Sequence, residues 1–77
     1  MKDFISYLVK NLVDDPDSVN INVFEGEKST IIELKVDSDD VAKVVGRQGR
    51  TINALRTIVM IVGARFGRRV KLELLNN

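Results

Sequence analysis

Apolar residues between positions 2 and 13 recur as i, i+4, i+8, each doubled by a neighbour: Phe4, Ile5, Leu8, Val9, Leu12 and Val13. That spacing gives one wide apolar face of a helix. Asp14-Asp15-Pro16-Asp17 should end it, because proline cannot continue the hydrogen-bond ladder and biases the residue before it away from helix. From Val19 the period changes to two, with Val19, Ile21 and Val23 on one side and Asn20 and Asn22 on the other. A half-buried strand over 19–25 follows. After the polar stretch Glu25-Gly26-Glu27-Lys28-Ser29, a second alternation over 30–36 places Ile32, Leu34 and Val36 opposite Glu33 and Lys35. The two strands should form a hairpin.

Asp37-Ser38-Asp39-Asp40 supplies capping side chains and first-turn carboxylates, which favour the start of a short helix over about 39–45. Its valines Val41, Val44 and Val45 are weak helix formers, so the acidic entry decides the assignment. Gly46-Arg47-Gln48-Gly49 interrupts the chain. Beyond it, Ile52, Leu55, Val59, Val62 and Phe66 step by 3, 4, 3 and 4, the core stripe of a long helix that Gly67 is placed to terminate. Val70, Leu72 and Leu74 alternate with Lys71 and Glu73 in a last strand over 69–75.

The expected fold class is therefore α+β, in the order helix-strand-strand-helix-helix-strand, and 77 residues suffice for a single domain spanning 1–77. Apolar content of 44% and charged content of 30% belong to a folded globular chain. Cysteine and histidine are both absent, which removes disulfides, the common zinc ligands and the usual general base. No metal, no cofactor and no catalysis are expected. The N-terminal residues lack the pattern of a signal peptide, and the longest apolar run, 58–64, is too short to cross a bilayer, so a cytoplasmic location is expected.

Charge is divided unevenly along the chain. Residues 1–40 carry four lysines against ten carboxylates, a net of −6, whereas residues 41–77 carry eight cations against Glu73 alone, a net of +7. The asymmetry points to an anionic partner, or to two faces that attract each other within the fold.

The glycine-bounded loop is the main candidate for chemistry. Gly46 can take a positive φ to end one helix, Gly49 admits a ligand where a Cβ would obstruct it, and the following helix turns its N-terminus toward whatever sits there. Two residues between the glycines, followed by Arg50-Thr51, do not make a Walker A loop. No third glycine or preceding strand makes a dinucleotide fingerprint. An EF-hand begun at Asp37 would place Ala42 where its glycine belongs and Gln48 where its glutamate belongs, so these carboxylates are taken as helix caps.

Val44-Val45-Gly46-Arg47-Gln48-Gly49-Arg50-Thr51-Ile52-Asn53-Ala54-Leu55 resembles the signature of KH domains. With a helix and a strand ahead of the shared core, the whole chain is similar to the type II KH fold, and most similar to the KhpA-like family of small bacterial single-KH proteins. The resemblance implies a three-stranded mixed sheet with three helices on one face. The strand over 30–36 would be central, antiparallel to 19–25 and parallel to 69–75.

It further implies an RNA-binding, chaperone-like protein that grips single-stranded RNA, the loop clamping the backbone of about four nucleotides. Gly46, Arg47, Gln48 and Gly49 would form the clamp, flanked by Arg50 and Lys43. Val44, Val45 and Ile52, partly core, would border an apolar groove that receives bases between the helices and the central strand. Phe4, Tyr7, Phe24 and Phe66 lie away from the loop, so base contacts would rest on aliphatic packing. The bland readings are helix-stop glycines and solubilising charges.

Ala54, Ile58 and Ile61 widen the apolar arc of the long helix beyond its core stripe. Either the first helix covers them or they form an interaction surface. The resemblance implies a homodimer, or a heteromer with a larger Jag-like KH-containing protein. A protein-interaction module without significant RNA contact is the alternative function.

Overall fold

A computed structural model describes residues 2–76. The chain forms α1 (Lys2–Lys10), β1 (Asn20–Glu25), β2 (Ser29–Lys35), α2 (Val41–Val45), α3 (Arg50–Arg65) and β3 (Arg69–Leu74). Short 3-10 turns lie at Pro16–Ser18, Ser38–Asp40 and Arg47–Gly49. The strands form one mixed sheet in the order β1-β2-β3, with β1 antiparallel and β3 parallel to the central β2. The fold is α+β, as the type II KH resemblance implies. Among the described residues no helix is long and apolar enough to cross a membrane.

Alternation along the strands decides which sheet face the helices cover. Ile21, Ile32, Leu34, Leu72 and Leu74 point inward and are buried. Ile5 and Val9 from α1, Val44 from α2, and Ile52, Leu55 and Val59 from α3 meet them in one core. Parallel pairing of β2 with β3, in which Ile32 lies beside Leu72, is possible because the segment joining them contains both helices.

Three local expectations are corrected. α1 ends at Lys10 and not near Val13: the Asn11 side chain donates to the carbonyl of Tyr7 at 2.7 Å and competes with the helix ladder. Leu12 is consequently exposed. The segment over 39–45 divides into the turn Ser38–Asp40 and the five-residue α2. Phe66, assigned to the core stripe, is 76% exposed, because α3 stops at Arg65 and the chain turns away through Gly67 at φ = 69°.

Carboxylates 37–40 also act differently from helix caps. Neither Asp37 nor Asp40 makes a side-chain hydrogen bond to the helix or turn it precedes. Buried Asp40 instead accepts the backbone N–H groups of Asp14 and Asp15, at 3.1 and 3.0 Å, and so fastens the α1–β1 linker to the start of α2. Those two hydrogen bonds, the one from Asp14 foremost, together with Lys43, hold its carboxyl below the ordinary value of 3.8 against the opposing effect of burial.

Candidate nucleic-acid interface

The loop between α2 and α3 is built from three residues with positive φ: Gly46 (77°), Gln48 (56°) and Gly49 (75°). Gly46 is required on two grounds. Its conformation favours glycine, and a Cβ there would collide with the Thr51 side chain and lie 2.9 Å from the Thr51 nitrogen. At Gly49 only the backbone angle is decisive, since the nearest atom to a Cβ would be Asn53 Nδ2 at 3.6 Å. The Gly46 N–H closes α2 on the carbonyl of Ala42 at 2.9 Å, and the Gly49 N–H donates to the carbonyl of Gly46 at 3.2 Å.

This winding turns Arg47 and Gln48 outward into solvent. Arg50 Nη2 donates to Gln48 Oε1 at 3.4 Å. Among the described residues neither Arg47 nor Arg50 forms an ion pair. No side chain caps α3, whose N-terminal end lies against the loop. Two unneutralised cations at the positive end of a 16-residue helix make the loop suited to an anion.

A groove of about 570 Å³ opens between α3 and the free edge of β3, lined by Arg56, Thr57, Met60, Lys71, Glu73 and Leu75 among others. Arg56 bridges its walls: Nε donates to the Leu72 carbonyl and Nη1 to Asn53 Oδ1, both at 3.3 Å. Among the described residues β3 pairs with β2 alone, leaving its outer edge without a strand neighbour.

The family model for the KhpA/KhpB KH domain matches residues 2–74. The chain belongs to this KH-domain family. It is 50% identical to RNA-binding protein KhpA of Borreliella burgdorferi over 74 residues, covering 96% of this chain and 90% of that one. Identity to RNA-binding protein KhpA of Aquifex aeolicus is 47%, covering 97% and 95%. For the protein of that name from Chlamydia caviae it is 43%, covering 100% and 99%. No solved structure matches the chain.

Within this KH domain the residues singled out in the sequence separate into groups. Gly46, Arg47, Gln48, Gly49 and Arg50 lie together at the loop. Lys43 does not join them: its ammonium pairs with Asp14 and lies 3.6 Å from Asp40. The hydrogen bond to Asp14, more than any other influence, raises its pKa. Val44 is 0% exposed and Ile52 is buried, so both anchor helices in the core and offer no surface to a base, while Val45 is half-buried. Ala54, Ile58 and Ile61 are exposed on the outer side of α3.

The groove departs from the expected arrangement as well. Its strand wall is the edge strand β3, because central β2 has a hydrogen-bonded neighbour on either side. Sequence reading missed Arg56. Its position one turn after Ile52 was a weak signal, since spacing alone does not show that its side chain reaches the β3 backbone.

Proposed function

We propose that this chain is a chaperone-like RNA-binding protein that grips single-stranded RNA through the loop Gly46–Gly49. The observation that carries the proposal is the loop itself: three positive-φ residues hold a glutamine and two arginines, without an ion pair among the described residues, outward beside the start of α3. A phosphate backbone fits that place electrostatically and sterically. The printed name of the relatives, RNA-binding protein KhpA, supports the same ligand. The strand would leave the loop along α3 into the groove beside β3. Arg56, Thr57 and Met60 would meet it there, with modest sequence preference because no aromatic ring among the described residues lines that groove. A cytoplasmic setting suits such a ligand.

Changing Arg47 and Gln48 together to aspartate tests the proposal. Both side chains are exposed, aspartate tolerates the left-handed backbone of position 48 at least as well as glutamine, and carboxylates suit a helix N-terminus, so the melting temperature should not fall, while titration of a labelled single-stranded RNA should show binding lost. For the unaltered protein, log-log salt dependence should have a slope of roughly −0.7 for each phosphate neutralised. Equal affinity of the two proteins, with equal melting by circular dichroism, would remove the loop from the mechanism.

A second reading, a protein-interaction or dimerisation module, is favoured by the exposed Ala54, Ile58 and Ile61 on one side of α3. The two readings are compatible: a homodimer, or a heteromer with a larger Jag-like KH-containing protein, would present two weak loops to one RNA and raise avidity.

A further inference from the structure

The sheet face turned away from the helices carries an aromatic residue that neither the core nor the loop uses. Phe24 on β1 is 55% exposed and lies directly opposite exposed Ile31 on β2, which in turn lies beside Lys71 on β3. Residues in register across a sheet share a face, so Phe24, Ile31 and Lys71 form one row over the three strands. Arg69, two residues before Lys71, projects from the same side and forms no ion pair among the described residues. At the hairpin end of the sheet, an open ring and an aliphatic neighbour are thus bordered by two cations.

We propose that this row is a second contact surface for single-stranded RNA, on which a base stacks against Phe24 while Lys71 and Arg69 meet its phosphates. The inference rests on the loop reading above and extends its footprint beyond the groove. Lys71 connects the two places, for it belongs both to the groove wall and to the cross-sheet row. A strand passing over the free edge of β3 reaches Phe24 two strand spacings on, about 10 Å away. Lys71 is paired with Glu73 at 3.2 Å but is 70% exposed, and so exposed an ion pair exchanges readily for a phosphate. Glu33 and Glu73, in register beyond the row, confine the anion to the hairpin end. An aromatic ring on an open sheet with flanking cations is a sequence-tolerant stacking platform, because every base has a π-face.

The test compares a labelled tetranucleotide and a labelled decanucleotide of single-stranded RNA on the unaltered protein, Phe24→Leu and Phe24→Tyr. Leucine keeps an apolar partner for Ile31 but removes the ring; tyrosine keeps the ring. Phe24→Leu should weaken decanucleotide binding by about tenfold, within the roughly 5- to 150-fold that stacking of one base contributes, and should leave the tetranucleotide unaffected. Phe24→Tyr should match the unaltered protein on both. Equal decanucleotide affinity for the unaltered protein and Phe24→Leu would overturn the proposal while leaving the loop reading intact. Equal losses on both lengths would also overturn it, since the change would then act through the loop or the fold. Failure of the unaltered protein to bind either strand would overturn the loop reading and this extension with it.

Discussion

Gln48 occupies the left-handed region at φ = 56°, which costs a residue bearing a Cβ roughly 1–2 kcal/mol. Glycine would remove that strain but lose more conformational entropy on folding, a cost of roughly 0.5–1 kcal/mol. Gln48→Gly should therefore stabilise the domain by up to about 1 kcal/mol, a rise in melting temperature of about 4–8 °C for a domain of this size. It should also weaken RNA binding, because the amide that reaches solvent is gone. A thermal melt and an RNA titration on the same sample check both signs; a lower melting temperature would mean that the contact with Arg50 outweighs the strain. The need for glycine at Gly46 was legible in the sequence, because two glycines flanking a polar pair between helices announce an unusual backbone. The strain at Gln48 was not, since glutamine carries no such signal. Nor was the diversion of Lys43, whose partner Asp14 is 29 residues away in the chain.

Between elements, close approach and buried charge decide stability. Gly63 is buried in α3 where a Cβ would collide with the Val70 side chain and lie 3.2 Å from the Arg68 carbonyl. Alanine in a helix interior normally gains about 1 kcal/mol over glycine, yet here overpacking should dominate, and Gly63→Ala should destabilise by about 1–3 kcal/mol in urea unfolding. Asp40 makes a pH prediction. Its folded pKa lies below the ordinary 3.8, so its contribution is complete above that value and is lost as the pH falls through the lower folded value. Urea midpoints between about pH 2 and pH 6 should fall more steeply on acidification for the unaltered protein than for Asp40→Asn; parallel curves would show that the carboxylate has no such role. Five of the six main elements were legible from their periods, since inward and outward positions alternate as the strands require and the α1 and α3 stripes recur at helical spacing; α2 was assigned from its acidic entry alone, and those carboxylates do not cap it. The end of α3 was less legible: the apolar stripe runs on to Phe66 although the helix does not, and periodicity cannot say whether its last member still faces the core. The groove was misplaced for a different reason: the strand order was already implied, but its wall was assigned to the central strand, and no periodicity marks Arg56, the side chain that spans from α3 to the edge strand β3.

Across the whole molecule the opposed charges of the two chain halves interleave. Lys43 from the basic half pairs with Asp14 and Asp40 from the acidic half. Arg68 Nη2 donates to the Gly26 and Ser29 carbonyls at 2.8 and 3.0 Å, securing the β1–β2 turn. Some cations of the basic half thus serve the fold, as internal attraction between the two halves requires, while Arg47, Arg50 and Arg69 form no ion pair among the described residues. Apolar surface has no comparable internal outlet. Ile58 and Ile61, 57% exposed in the latter case, lie on the outer side of α3, and Phe66 lies just beyond its end. If two copies pair through this helix about a two-fold axis, each substitution enters the interface twice. Burial of one isoleucine contributes about 1.5–3 kcal/mol, so Ile61→Asp should remove at least roughly 3–6 kcal/mol, on the order of a hundredfold to ten-thousandfold in dissociation constant. Light scattering during size exclusion should give twice 8.6 kDa for the unaltered chain and 8.6 kDa for the variant. Thermal melting extrapolated to low concentration should be alike for the two, because Ile61 lies outside the core of either monomer. Affinity for a long single-stranded RNA should fall with dimerisation while affinity for a tetranucleotide stays unchanged, which separates avidity from damage to the loop. An unaltered protein that runs as a monomer at every concentration would instead leave this face to a heteromeric partner, and the same variant would then be expected to abolish that pairing.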